Sequence, residues 1–316
     1  VSYFTWTFTG AKGQGQAGWT TFGFIVALLG LITAWTVAFG TKESSNALRA
    51  KAQKNGNPLE AFKALFQNDQ LLWVALSYLL YAIANVITTG VMYYLFVFVL
   101  DAPAAFSITG VIPLIAGFVM APLYPILNRW IPRRYLFTGG MVSMIIGYTM
   151  LALFSTSLPV VIVALVFFYV PAQFIQMTAI LSLTDSIEYG QLKNGKRNEA
   201  VTLSVRPMLD KIGGAMSNGV VGAVAIAAGM TGHATAADMT ASNIATFKTF
   251  AFYIPLVLIF LSLAVFWFKV KIDEKMHAKI VKELEAKLAA GEIADEETQT
   301  AATVEAIDEE VGAVKD

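Results

Sequence analysis

The stretch YLFTGGMVSMIIGYTMLALFSTSLPVVIVALVFFYVPAQFIQMTAILSLT, residues 135–184, runs for 50 residues without one Asp, Glu, Lys or Arg. As a single helix it would be about 75 Å long, against a bilayer hydrocarbon core of about 30 Å, so it must fold back on itself. Ser155-Thr156-Ser157-Leu158-Pro159 supplies a polar, proline-marked turn at which it can do so. Five further charge-free stretches, 13–41, 70–100, 102–128, 212–237 and 249–268, are each long enough to cross a bilayer once. Seven helices result, over roughly 17–40, 71–99, 104–128, 135–154, 159–184, 201–230 and 247–270. Runs of this length exclude barrel strands, which need only about 10 residues of alternating pattern. The expected fold is an all-α membrane protein.

Composition agrees with that reading. A chain of 316 residues that is 56% hydrophobic and 14% charged does not fit a soluble enzyme, a secreted module or a nucleic-acid binder. The net charge of zero hides a division: residues 1–272 hold 17 Lys and Arg against 9 Asp and Glu, whereas residues 273–316 hold 5 against 13. There is no cysteine, and the histidines are His233 and His277 alone, so disulfides, thiolate chemistry and a His-rich metal site are not expected. No phosphate-binding loop, His-Glu-x-x-His or Gly-x-Ser-x-Gly motif occurs. No enzymatic activity, metal or cofactor is therefore expected.

Lys and Arg fall mainly in alternate connections: Lys42, Arg49, Lys51, Lys54 and Lys63; Arg129, Arg133 and Arg134; Lys193, Lys196 and Arg197; Lys269, Lys271 and Lys275. The positive-inside rule makes these cytoplasmic, which puts the start of the chain outside and its tail inside. The opening Val1-Ser2-Tyr3-Phe4 has no initiator Met and no signal segment, as expected for the later part of a longer protein. The organisation expected is an outer segment and first helix over 1–40, a basic cytoplasmic loop over 41–69, a six-helix lobe over 70–272 and an acidic cytoplasmic tail over 273–316. Within the tail, Ile280, Leu284 and Leu288 recur every fourth residue and Glu283 stands four before Lys287, the pattern of a short amphipathic helix. The acidic segment past Gly291 lacks aromatics and reads as disordered.

Ionisable residues inside the apolar runs are the candidates for function. Asp185 and Glu188 share one face at the end of the fifth helix, where Lys193, Lys196 and Arg197 are available as partners. The alternative is a solvated charged loop. Arg206, Asp210 and Lys211 lie one to three turns into the sixth helix, where each charge costs at least about 2.5 kcal/mol unless it is paired or faces water. Arg206 and Asp210, four apart, can pair, and Lys211 points about 100° away and needs another partner or an aqueous cavity. Snorkelling to the headgroups is the competing account, but Asp210 is too short for it. A water-accessible central cavity that binds a polar solute or relays an ion is the preferred reading.

Weaker signals accompany it. Small residues follow Lys211, from Gly213 to Ala223, and Pro113, Pro122, Pro125 and Pro171 interrupt the third and fifth helices. Tyr81, Asn85, Thr88, Thr89, Tyr93 and Tyr94, with Gln173 and Gln176, could stack on and hydrogen-bond a sugar, with Tyr93, Asn85 and Gln176 foremost. All of these features occur more often for packing than for function.

The segment Asp185-Ser-Ile-Glu188-Tyr189-Gly190-Gln-Leu-Lys193-Asn-Gly195-Lys-Arg197-Asn-Glu199, with Ser204-Val205-Arg206-Pro207-Met-Leu-Asp210-Lys211-Ile-Gly213-Gly214-Ala215, closely resembles the loop and penultimate helix of the glycoside–pentoside–hexuronide cation symporters. Phe39-Gly40-Thr41-Lys42-Glu43, Asn68-Asp69-Gln70-Leu71-Leu72-Trp73 and Asn128-Arg129-Trp-Ile-Pro132-Arg133-Arg134 extend the resemblance to about Glu285. It is strongest to the lactose and galactoside permease branch, with melibiose permease more distant.

The resemblance implies a major-facilitator bundle of twelve helices in two lobes, of which this chain would hold the sixth to the twelfth. It implies secondary transport of a galactoside such as lactose across a bacterial plasma membrane, coupled to H+ or Na+, with galactoside–galactose exchange also open. It assigns Lys211 to the sugar and cation sites, Asp185, Glu188 and Arg197 to a cytoplasmic gate, and Lys193 and Glu199 to a coupling loop. Arg206 and Asp210 fit the lactose branch. The first five helices of the family carry the acidic cation site, so this chain alone is not expected to transport. It would need the N-terminal lobe of the same protein or a homodimer. Ending at Asp316, the chain is not expected to carry the regulatory domain of some lactose permeases. Other readings are a related raffinose, melibiose, pentoside or glucuronide symporter, a sugar sensor of the same fold that does not transport, and, disfavoured by the lack of charge rings, a channel.

Overall fold

A computed structural model describes residues 16–40, 66–194, 199–232 and 234–290. Two compact units divide the chain, Val1–Asn55 with Thr303–Asp316, and Gly56–Ala302. In the first unit the described element is α1, Gln16–Gly40, apolar on every side, with Phe24, Leu29, Trp35 and Phe39 exposed. A helix without a polar face belongs in lipid rather than water.

Among the described residues, the second unit is a bundle of six long helices and one short one. α2 begins at Asp69, is α-helical to Tyr94 and closes with a π turn over Leu95–Val99. A 3-10 turn at Pro103–Ser107 leads into α3, Ile108–Asn128, and α4 follows over Arg133–Phe154. The chain turns back at Ser155 to Ser157, as expected, and enters α5, Leu158–Asn194. α6 covers Glu199–Ala227. α7 runs from Ala241 to Lys269 with a π turn at Thr249–Tyr253, and α8, Glu274–Ala289, lies beyond it. With α1, seven helices among the described residues have the length of a membrane crossing. Six of them are also apolar enough for one, and α6 is the exception. Its charged residues explain the difference.

Two boundaries differ from the expected ones. α5 does not stop at 184 but continues ten residues further, so Asp185, Glu188 and Lys193 are helical. These residues are polar enough to end an apolar run, yet nothing in them breaks a helix. α7 begins at Ala241 rather than near 247, because Thr240 caps it by accepting from the Asn243 backbone N–H and Asn243 in turn caps the Thr240 side.

Close packing unites the bundle. Tyr81 and Phe96 of α2, Phe137, Met141, Met144 and Tyr148 of α4, Phe168 of α5 and Phe247 and Phe252 of α7 are buried in one core. The Phe137 and Phe266 rings stack 3.8 Å apart, joining α4 to α7. At Gly147 a Cβ would lie 3.0 Å from the Ala164 carbonyl oxygen, so α4 and α5 touch backbone to backbone there. Ser77 donates to the Ser262 carbonyl at 2.9 Å and Ser262 donates to the Ser77 carbonyl at 2.7 Å, a reciprocal link between α2 and α7. Such bonds inside a bilayer contribute about 0.6 kcal/mol each. α8 buries Ile280 and Leu284 and carries the expected Glu283–Lys287 pair at 3.2 Å.

Candidate functional site

The charged candidates separate into two groups. The first gathers where α2, α4, α5 and α8 meet at one end of the bundle. Arg133, at the start of α4, forms an ion pair with Asp185 of α5 and accepts Glu274 of α8 as a second partner, with Nε at 3.3 Å and its own backbone N–H donating at 2.6 Å. His277 of α8 places Nε2 3.8 Å from Asp185 and 3.6 Å from Glu188. Arg133 and Asp185 are almost wholly buried, so each charge depends on the other for compensation.

Lys193 takes a different partner, Asp69 at the start of α2, which also accepts from the Tyr189 hydroxyl at 2.9 Å. The expected pairing of Asp185 and Glu188 with Lys193 therefore does not form. On a continuous helix Lys193 sits eight residues, about 12 Å, beyond Asp185, and about 140° around the axis from Glu188. Lys196 and Arg197, the other expected partners, lie outside the described residues. The Asn68 side chain fastens the same end, accepting from the Leu71 N–H at 3.0 Å and donating to the Ser186 carbonyl at 2.7 Å. Arg134 lies over the Trp267 ring at 4.3 Å and Lys269 over the Trp73 ring at 5.1 Å, an arrangement suited to a membrane–water boundary.

The second group lies along α6. Glu199 occupies its first turn, where a carboxylate complements the exposed N–H groups. Asp210 and Lys211, both exposed, lie about 16 Å and 18 Å further along the axis. The Tyr78 hydroxyl of α2 donates to Asp210 at 2.7 Å. Arg206 forms no ion pair with Asp210, against expectation. It lies beside the same Tyr78 hydroxyl, and its buried Nε has no hydrogen-bond partner among the described residues. The carboxylate is drawn towards α2, away from its neighbour one turn back. Lys211 has no ion-pair partner among the described residues. The pair of charges is open on one side and tied to α2 on the other.

The uncharged candidates also divide. Tyr81 and Thr88 are buried, and Thr88 donates to the Ala251 carbonyl at 3.0 Å, so both belong to the core. Asn85 and Gln176 are half-buried, with Gln176 next to the Tyr81 hydroxyl. Tyr93 is exposed and sits edge-on to Phe106 at 5.5 Å, near the end of α2 remote from Asp69. Residues not singled out from sequence are Tyr78, Asp69, Glu274 and His277 as partners. Glu274 and His277 share a face of α8 by their spacing, but no local pattern could pair Tyr78 with a carboxylate 132 residues away.

Comparison with known proteins matches residues 3–274 to the model of the MFS/sugar transport protein family. The lactose permease of Leuconostoc lactis is 50% identical over 291 residues, 92% of this chain and 45% of that protein. The lactose permease of Lactobacillus helveticus is 47% identical over 293 residues, 93% and 46% of the two chains. The raffinose carrier protein of Pediococcus pentosaceus is 40% identical over 268 residues, 85% and 42%. The chain thus spans about half the length of the curated relatives it matches. With membrane-length helices, a charged penultimate helix and this match across most of its length, the chain belongs to the sugar-transport family of the major facilitator superfamily, as its likeness to the glycoside–pentoside–hexuronide symporters implied.

Proposed function

We propose that this chain forms the C-terminal part of a bacterial plasma-membrane symporter that moves a galactoside, lactose first, together with H+ or Na+. It acts as a carrier, with no chemical step and no cofactor. The observation that carries this reading is the exposed Asp210–Lys211 pair well inside a membrane-length helix, a costly arrangement unless it faces water or a polar ligand. The names of the two lactose permeases, at 50% and 47% identity, support lactose as the substrate. The raffinose carrier, at 40%, keeps a second glycoside in view.

In this reading the chain starts outside and its tail lies in the cytoplasm, the lobe over 70–272 rocks against a lobe supplied by the rest of the transporter, and the site lies between them. Lys211, Asp210 and Arg206 face the sugar and the coupled charge, with Asn85, Gln176 and Tyr93 as further sugar contacts. Lys193 and Glu199 couple the inner end of α5 to α6. Asp185, Glu188 and Arg197 form the cytoplasmic gate. The test is radiolabelled lactose uptake by vesicles containing the full-length transporter, with and without an imposed H+ or Na+ gradient. Gradient-driven accumulation is expected; sugar binding without flux would instead make the protein a sensor.

A further inference from the structure

Asp210 has three neighbours that could hold it: Arg206 one turn back, Lys211 beside it and Tyr78 across the helix interface. Only Tyr78 does so, through a 2.7 Å hydrogen bond. The choice matters chemically. Arg and Lys can only donate, so either would hold Asp210 as a fixed carboxylate. A phenol both donates and accepts. It donates to a carboxylate and, by turning its O–H, accepts from a protonated carboxyl, so the link survives a change in the charge of Asp210.

The tyrosine is built to stay in place. The residue is 3% exposed, its ring lies against that of Tyr81, 5.9 Å between centroids, and Tyr81 is itself buried in the core. The hydroxyl is thereby fixed by packing on α2 while the carboxylate it holds remains exposed on α6. The ionisable groups around the carboxylate are Tyr78 and Tyr81 of α2 with Arg206 and Lys211 of α6; from α5 the neighbouring side chain is the neutral Gln176, against Tyr81.

We propose that Tyr78 is a positioning residue: its hydroxyl holds the Asp210 carboxyl against α2, out of an ion pair with Arg206, so that the group stays aimed at the translocation site through every charge state of the cycle. The proposal rests on the symporter reading given above. It also links the two helices: any movement of α6 along α2 must stretch or remake this bond.

The experiment compares the full-length transporter with Tyr78→Phe, Asp210→Asn and the double variant in proteoliposomes, measuring lactose exchange at equal concentrations and gradient-driven accumulation. Tyr78→Phe keeps the ring and its packing and removes the hydroxyl alone. The expected result is a KM for lactose in exchange within about threefold of wild type, with the maximal rate of gradient-driven uptake reduced about tenfold or more. In the Asp210→Asn background the same change should have little further effect, because the two groups act as a unit. Wild-type rates in Tyr78→Phe would overturn the proposal, as would equal fold-losses with and without Asp210. If Tyr78→Phe does not reach the membrane, exchange by Asp210→Asn is measured with and without Tyr78→Leu, and additive losses again reject the link. Failure of the wild-type protein to exchange or accumulate lactose would be a different result, against the symporter reading itself.

Discussion

At one end of the bundle every described carboxylate near Arg133 or Lys193 is shared across helices, whereas Arg206, Asp210 and Lys211 of α6 form no ion pair among the described residues. Arg133, Asp185, Glu274 and His277 join α4, α5 and α8, and Asp69, Tyr189 and Lys193 join α2 to α5. On α6, Asp210 has Tyr78, Lys211 has no ion-pair partner among the described residues, and the buried Nε of Arg206 has no hydrogen-bond partner among them. The same residue types thus do two kinds of work. Where charges neutralise one another between helices they fix the ends of those helices. Where they are left open inside a membrane-length helix they cost stability unless they face water or a polar ligand.

Substitutions in both regions test that contrast, and the largest effect belongs to the open side. Lys211→Ala in the full-length transporter should abolish gradient-driven lactose accumulation while leaving the amount of protein in the membrane near normal. A variant that accumulated sugar like wild type would take Lys211 out of the mechanism. The next effect belongs to the shared end. Arg133→Gln leaves Asp185 buried without its cation, and loss of one partner of a buried pair costs about 3–5 kcal/mol, read as a lower denaturation midpoint in detergent. Adding Asp185→Asn should restore part of the loss, since the stranded charge is then gone.

The same contrast can be drawn with glycines, which carry no charge. Gly147→Ala would place a methyl 3.0 Å from the Ala164 carbonyl and 3.2 Å from Phe167, forcing α4 from α5 at a cost of about 1–3 kcal/mol. Gly214→Ala, on α6, would meet nothing within 4 Å in this lobe and should change its stability by less than about 1 kcal/mol, towards the stable side, because Ala is the better helix former. A large loss of transport in Gly214→Ala with unchanged melting would mean that transport uses this face for a contact outside the described residues.

Much of this was legible in the sequence. Seven described helices of membrane-crossing length, the turn at Ser155 and the amphipathic α8 with its Glu283–Lys287 pair all follow from run length and period, which are local properties. The end of α5 was not legible, since a helix that leaves the bilayer loses its apolar signal at Asp185 without losing its hydrogen bonds. Partner choice was not legible either. Lys193 and Asp185 are neighbours in sequence, yet the rigid helix between them sends Lys193 to Asp69, 124 residues away. The i,i+4 rule made Arg206 a natural partner for Asp210, and a tertiary contact from Tyr78 outweighed it. Within a helix the spacing says which side chains can meet; between helices only packing does.

The pair of Lys193 with Asp69 is the place where the contrast is weakest, and the smallest predicted effect is the most informative there. Both side chains are about half exposed, at 44% and 45%, so the pair should contribute less than about 1 kcal/mol to stability. Asp69→Asn keeps the shape and removes the charge, and its melting midpoint should be close to that of wild type. If uptake is equally unaffected, the pair is a surface contact and the shared end is purely structural around it. If uptake falls severalfold at unchanged stability, the Asp69–Lys193 contact belongs with the open charges of α6, and the division drawn here runs between buried and exposed pairs rather than between the two regions. A charge-swapped Asp69→Lys, Lys193→Asp protein separates attraction from residue identity, because it restores uptake only if the contact itself is what the cycle uses.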